Sequence, residues 1–325
     1  MRSIRLPSWT ERLLGLEPAL APPHVFALDA RHLRYGSFHR GPQGWVFESY
    51  RMVELPPGTF GEGLLGAPLR EPKAFNELVA GFAAQEPAIE EASLVLPDAW
   101  LRLTFTELAE LPSKAEQREA MLRFKLKRLV PFRVEDLRVA ATPVAALPQQ
   151  EEPIRLLIGF GIELLLGQIE DAFAAAGVRI GQITNATLAA LTALESAVRP
   201  SEMMALVLVE DGFYTLSFAR AGEPLLYRYK ALGEVPAHDR PPVVRRDLRL
   251  TRRFVAEQIP DAPLARLFLS APPEQETDWQ SWLYEELDAV PEVLSLELVP
   301  LARGRSDLPM GETATLLGAA CYEVR

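Results

Sequence analysis

One order of short strands and helices occurs twice along this chain, and that repeat constrains the fold more than any single motif. Residues 25–29, 33–39 and 45–53 are rich in β-branched and aromatic side chains and are parted by short polar turns, so they read as a three-strand meander. Residues 72–85 then place Phe75, Leu78, Val79 and Phe82 at the spacing of one helical face, with Pro72 suited to the first turn. Residues 92–96 are an apolar run of strand length. In the second half, residues 203–209, 213–220 and 224–232 give a second meander, turning at Asp211-Gly212 and Ala221-Gly222-Glu223. A helix over 243–258 follows, through Val244, Leu248, Phe254 and Val255, and then a strand over 266–270. The repeat lies in architecture and not in letters.

Between the copies, Ser113-Lys114-Ala115-Glu116 fits a capping box and predicts a helix through Leu122, Leu126, Leu129 and Val130 that stops before Pro131. Strands are expected over 137–144 and 154–160 around a loop at 148–153, and helices over 163–175 and 186–198 around a strand at 178–183. A duplicated strand, strand, strand, helix, strand unit with further elements between the copies predicts an α/β chain with a duplicated ribonuclease-H-like (actin-like ATPase) fold. Two lobes also suit a length of 325 residues. The expected division is an N-terminal extension over 1–24, a first lobe over 25–200 with an inserted α+β subdomain near 98–160, and a second lobe over 201–325.

Composition then removes several functions. A formal net charge of −10 opposes a broad nucleic-acid surface, so no nucleic-acid partner is expected. No apolar run approaches the roughly 18 to 20 residues of a membrane span. Residues 1–23 are broken by Pro7, Glu11, Glu17, Pro18 and Pro22 and lack the apolar centre of a signal peptide, which predicts a cytoplasmic protein. That segment, with Arg2, Arg5 and Arg12 among Ile4, Leu6 and Trp9, either lies on a membrane surface or packs on the first lobe. A single cysteine, Cys321, excludes an intrachain disulfide and a cysteine zinc cluster. The four histidines, His24, His32, His39 and His238, are too scattered for a helical metal pair and read as solvent-facing positions, and no Gly-x-Ser-x-Gly elbow supplies a nucleophile.

Leu94-Val95-Leu96-Pro97-Asp98, then Glu110-Leu111-Pro112-Ser113, then Leu126-Lys127-Arg128-Leu129-Val130-Pro131-Phe132 with an acidic turn at Glu135-Asp136, resemble the type IV pilus assembly protein PilM family. The resemblance implies an actin-like cytoplasmic scaffold at the inner face of the cytoplasmic membrane. It would bind the N-terminal tail of a PilN-like inner-membrane protein, associate with the membrane through that partner, and contact pilus motor and platform proteins. The cytoplasmic domain of GspL-type proteins is built similarly, so a component of a type II secretion-like system is the alternative machine.

Actin-like ATPases hold phosphate with two hairpin turns that need glycine for close backbone approach and an acidic residue for Mg²⁺. Here the first turn keeps Asp29 but continues Ala30-Arg31-His32-Leu33-Arg34 where the family has glycine and small hydroxyl residues. The second reads Glu210-Asp211-Gly212-Phe213-Tyr214-Thr215, with two bulky residues beside the glycine. The loop after residues 267–270 is Ala271-Pro272-Pro273, and proline lacks an N–H. Asp29, Glu210, Asp211, Gly212 and Thr215 are therefore candidates for a vestigial nucleotide site, with no catalytic residue, metal or cofactor expected. An active ATPase binding ATP with Mg²⁺ through Asp29, Glu210 and Asp211 is the alternative.

Two helices are crowded with cations: Lys114, Arg118, Arg123, Lys125, Lys127 and Arg128 on one, and Arg245, Arg246, Arg249, Arg252 and Arg253 on the other. Each is either a solvated face or a docking surface for acidic lipid or an acidic partner, with the second the richer in arginine. A groove at the end of the first helix, formed by Arg123, Leu126, Lys127, Arg128 and Phe132, is the expected place for the partner tail.

Overall fold

The computed structural model describes residues 19–61, 69–84, 89–130, 133–147, 150, 153–259, 263–299, 301–303, 308 and 310–324. The first copy of the repeat is β1 (Ala19–Leu20), β2 (His24–Leu28), β3 (His32–Gly41), β4 (Gly44–Glu54), α1 (Pro72–Ala83) and β5 (Glu91–Leu96). An insert follows: β6 (Arg102–Leu108), α2 (Ala115–Leu126), β7 (Leu137–Val144) and β8 (Ile154–Ile162). The first lobe resumes with α3 (Glu163–Ala175), β9 (Arg179–Asn185) and α4 (Ala186–Leu194). The second copy is β10 (Met203–Glu210), β11 (Phe213–Arg220), β12 (Glu223–Ala231), α5 (Arg240–Gln258) and β13 (Leu264–Ser270). After it come α6 (Pro273–Leu287), β14 (Pro291–Val293), β15 (Leu301–Arg303), α7 (Met310–Cys321) and β16 (Glu323–Val324).

The two copies make separate sheets of the same design. In each, an antiparallel meander continues through a parallel strand: β4-β3-β2-β5-β9 in one sheet, with β15 at its edge, and β12-β11-β10-β13-β14 in the other. Helices cover the outer faces, because each sheet buries apolar side chains on both sides. On the first, Phe75, Val79 and Phe82 of α1 and Ile169 and Phe173 of α3 pack on Phe26 and Leu94. On the second, Val244 and Leu248 of α5 and Trp279 and Leu283 of α6 pack on Tyr214 and Leu216.

The inner faces share one core through α4 and α7, where Ala190, Ala193, Ala319 and Ala320 meet Val25 and Val95 of one sheet and Leu206 and Phe268 of the other. Small side chains let these helices cross closely. A Cβ on Gly318 would stand 1.6 Å from the carbonyl oxygen of Ala189, so glycine is required there. The C-terminal part of the chain therefore belongs with the first sheet: β15 pairs with β4, and α7 packs on β2, β3 and β5. The expected second lobe over 201–325 loses these residues.

The insert is a three-stranded sheet, β6-β8-β7, with Leu122 and Leu126 of α2 packed on Leu137, Ile158 and Phe160. Its other face leans on the second lobe through Leu103, Leu157 and Tyr227. Arg155, 4% exposed, donates to the carbonyl of Leu225 at 2.6 Å with its guanidinium 4.0 Å from the centroid of Phe105. The N–H of Ala145 donates to Glu223 at 3.0 Å.

Two local expectations fail. No serine caps α2, whose N-cap is Lys114 without a side-chain bond. The helix also ends at Leu126 rather than Val130, because Leu129 donates to the carbonyl of Leu126 in a tighter turn ahead of Pro131, which disfavours helical geometry in the residue before it. Among the described residues, no helix is long and apolar enough to cross a membrane.

Candidate functional site

The registers of the two meanders bring one turn from each lobe close together. Leu28 pairs with Leu33 and Glu210 with Phe213, so Asp29 opens the first turn and Asp211-Gly212 forms the second. The turns are close enough for Arg31 to reach Asp211 at 2.8 Å, an ion pair exposed on both sides that contributes little stability but shows where the two turns meet.

The first turn is filled by its own side chains. Asp29 Oδ1 accepts the backbone N–H groups of Arg31 at 2.7 Å and His32 at 2.8 Å, and Asp29 Oδ2 accepts from Arg34 at 2.5 Å. Burial alone would raise this carboxyl, but Arg34's charge and these hydrogen bonds outweigh it and hold Asp29 below the usual carboxylate range. Arg34 also lies 2.9 Å from Glu312 at the start of α7, and Glu312 accepts from Tyr50 at 2.7 Å. Burial opposes the arginine's charge, and Asp29 and Glu312 more than restore it.

The second turn is a two-residue hairpin, Glu210 pairing with Phe213, with Gly212 at φ +83°. Its bulky neighbours divide between the faces. Tyr214 packs on Trp279 outside the sheet, with its hydroxyl on Asp247 at 2.7 Å. Phe213 stacks on Tyr229 at 5.1 Å, and Arg102 of the insert lies 4.0 Å from the Tyr229 centroid. Thr215, expected beside a phosphate, is fully buried with its hydroxyl 2.8 Å from that of Thr187. It is a structural residue and leaves the candidate set.

Sequence reasoning missed the residue that joins these parts. Asp98, following β5, is fully buried and accepts from Asn185 at 2.6 Å, from the Tyr227 hydroxyl at 2.8 Å and from the N–H of Thr187 at 3.1 Å. It thereby ties the first sheet, the N-terminus of α4 and the second sheet. Burial pushes its carboxyl up to about 7 against the lowering effect of those hydrogen bonds. Glu210 is raised to about 8 by burial first, then by the charges of Asp98 and Asp29. The Leu-Pro-Asp step after an apolar strand was the available signal, but only the fold shows that its carboxyl has three donors.

Two neighbouring expectations also change. Of the groove residues on the insert, Leu126 is fully buried in the insert core, and Arg123 is engaged with Glu119 at 2.7 Å and with the carbonyl of Val134. Lys127 and Arg128 are exposed, and Phe132 lies outside the described residues. Four of the five arginines on α5 face carboxylates: Arg245 faces Glu285 and Glu286, Arg249 faces Glu286 at 3.4 Å, Arg252 faces Asp288 at 3.0 Å and Arg253 faces Glu257 at 2.7 Å, while Arg246 forms no ion pair among the described residues. Arg245, Arg249 and Arg252 thereby tie α5 to α6 and its C-terminal cap, and Arg253 pairs within its own helix. Of the histidines, His39 faces Glu48 at 2.8 Å and His238 faces Asp239 at 3.3 Å, and the described residues contain no cluster suited to a metal ion. The segment 1–18, with its amphipathic alternative, lies outside the described residues.

Paired sheets of the same design, a hairpin turn from each brought together, and two crossing helices in the shared core describe the architecture. It superposes on a solved PilM–PilN type IV pilus biogenesis complex with a TM-score of 0.71 at 19% identity, covering 95% of this chain and 99% of that one. A Bacteroides thetaiotaomicron protein with an actin-like ATPase fold and unknown function matches at 0.52 and 10% identity, covering 96% and 99%. The chain has the actin-like ATPase fold. The cytoplasmic domain of EpsL, an inner-membrane component of the type II secretion system of Vibrio cholerae, covers 90% of this chain and 94% of that one at 0.45 and 13% identity, a level that adds nothing further. No family model and no curated protein matches the sequence.

Proposed function

We propose that this actin-like chain is a PilM-like scaffold that works without nucleotide, holding the cytoplasmic tail of a PilN-like inner-membrane protein at the inner face of the membrane. The observation that carries the first half is the occupied first turn. In an actin-like ATPase the turn's N–H groups and acidic residue serve phosphate and Mg²⁺; here Asp29 takes the N–H groups itself and Arg34 takes Asp29. A phosphate entering this turn would have to displace a carboxylate from two N–H groups, and Mg²⁺ would have to displace an arginine. The second turn adds an aromatic stack, and the third loop offers Ala271 and Pro272 before α6 begins at Pro273.

The second half rests on likeness. The matching PilM structure is a complex with PilN, and its chain is covered almost end to end. That supports a PilN-like partner for this chain; pilus platform and motor proteins beyond it are part of the proposal alone. Titrating the protein with a synthetic peptide of the N-terminal tail of a PilN-like protein from the same cell tests the partner. Saturable binding without nucleotide is expected. Binding that needs Mg²⁺ and ATP would refute the nucleotide-free scaffold, and no binding of the tail under any condition would refute the partner.

A further inference from the structure

Helix α2 carries apolar side chains on two faces. Leu122 and Leu126 point into the insert, while Phe124, roughly 200° round the helix from each, stands 66% exposed. Leu129, in the turn that follows, is 58% exposed. Around them the charge is concentrated against the rest of the chain: between Lys114 and Arg128 there are six lysines and arginines and two glutamates, in a protein of net charge −10. Arg123 and Lys125 are engaged within the insert. Among the described residues Lys114, Arg118, Lys127 and Arg128 form no ion pair, unlike Arg245, Arg249, Arg252 and Arg253 of α5.

We infer that this outward face of the insert docks on an anionic lipid surface, with Phe124 and Leu129 entering the headgroup region and the neighbouring Lys127 and Arg128 paired to lipid phosphates. Two features select a bilayer over an acidic peptide. The face is the convex back of a helix whose other side is buried, and a peptide tail is held in a groove or along a strand edge. An exposed aromatic flanked by unpaired cations is instead the composition of an interfacial helix, in which apolar insertion and attraction to acidic lipid add. The inference goes beyond the scaffold reading and is independent of it, since no partner protein is needed. It would give the adaptor a fixed face toward the membrane.

Sedimentation of the whole protein with phosphatidylcholine vesicles, with and without phosphatidylglycerol, tests it. Binding is expected only with phosphatidylglycerol and should weaken as salt rises. The double substitution Lys127→Gln with Arg128→Gln should reduce affinity roughly 30-fold. Phe124→Ser should reduce it several-fold and leave a remainder that salt removes entirely. All three positions are exposed, and an unchanged unfolding midpoint confirms intact variants. Equal binding to both vesicle types, no binding to acidic vesicles at low salt, or binding untouched by either variant would overturn the inference. So would a protein that ignores vesicles yet binds a glutamate-rich peptide through these same residues.

Discussion

Raising the pH from about 4.5 to about 8 should cost this protein stability through Asp98. Its carboxyl titrates at about 7 in the fold, against an unfolded value of 3.8. The native state thus keeps a proton that the unfolded chain releases. The stability this group contributes is fully present below 3.8 and is lost progressively as pH rises through about 7, after which the dependence flattens. The gap corresponds to about 4 kcal/mol, a large part of the stability of a typical domain. Glu210, raised to about 8 in part by Asp98, acts in the same direction and titrates together with it. Carboxylates held low, such as Asp29, Glu163 and Glu292, act oppositely and at lower pH.

Asp98→Asn separates these effects. Its side-chain oxygen keeps Asn185 and Tyr227, but its amide nitrogen meets the N–H of Thr187, which loses its acceptor at a cost of about 1 to 3 kcal/mol. The variant should be less stable than wild type near pH 4.5 and approach or exceed it near pH 8. Urea unfolding followed by tryptophan fluorescence across this range gives the difference directly. A difference that does not vary with pH would refute the account of a buried, protonated Asp98.

Gly318→Ala should destabilise by about 3 kcal/mol or more, despite the better helix propensity of alanine, because the new methyl meets the backbone of Ala189 and cannot rotate away. A drop of several degrees in the thermal midpoint is expected; an unchanged midpoint would mean that α4 and α7 separate freely. Arg155→Met should cost about 1 to 3 kcal/mol by leaving the carbonyl of Leu225 without its donor. Hydrogen exchange should quicken in β8 and β12 together, and faster exchange in the insert alone would show that the insert does not rely on the second lobe.

Much of the fold was legible because its elements carry local signals. The helix over 163–175 and the strand over 137–144 have the expected bounds, and both meanders were visible as alternating runs between glycine and polar turns. Helix α7 was not read, since Ala314, Leu316, Leu317, Ala319 and Ala320 are all buried and a helix apolar on several sides shows no clear period. Helix α6 hid behind two prolines, although Pro273 at its first position forfeits no hydrogen bond. At the site, Asp29 and Asp211 were placed on their turns from sequence, and the registers put Asp29 after β2 and Asp211 after β10 as read. Thr215 was misread because its neighbours in sequence look like a phosphate loop, while its hydroxyl is spent on Thr187. Arg34 and Asp98 act through partners distant in sequence, Glu312 and Tyr227, and no local pattern encodes such pairings.

Isothermal titration of the purified protein with ATP and Mg²⁺, repeated on Asp29→Ala, bears most directly on the nucleotide-free reading. The turn filled by Asp29 and Arg34 predicts no binding up to millimolar ATP in either protein. Micromolar binding by the wild type that Asp29→Ala abolishes would contradict it, and would make the chain a nucleotide-switched adaptor.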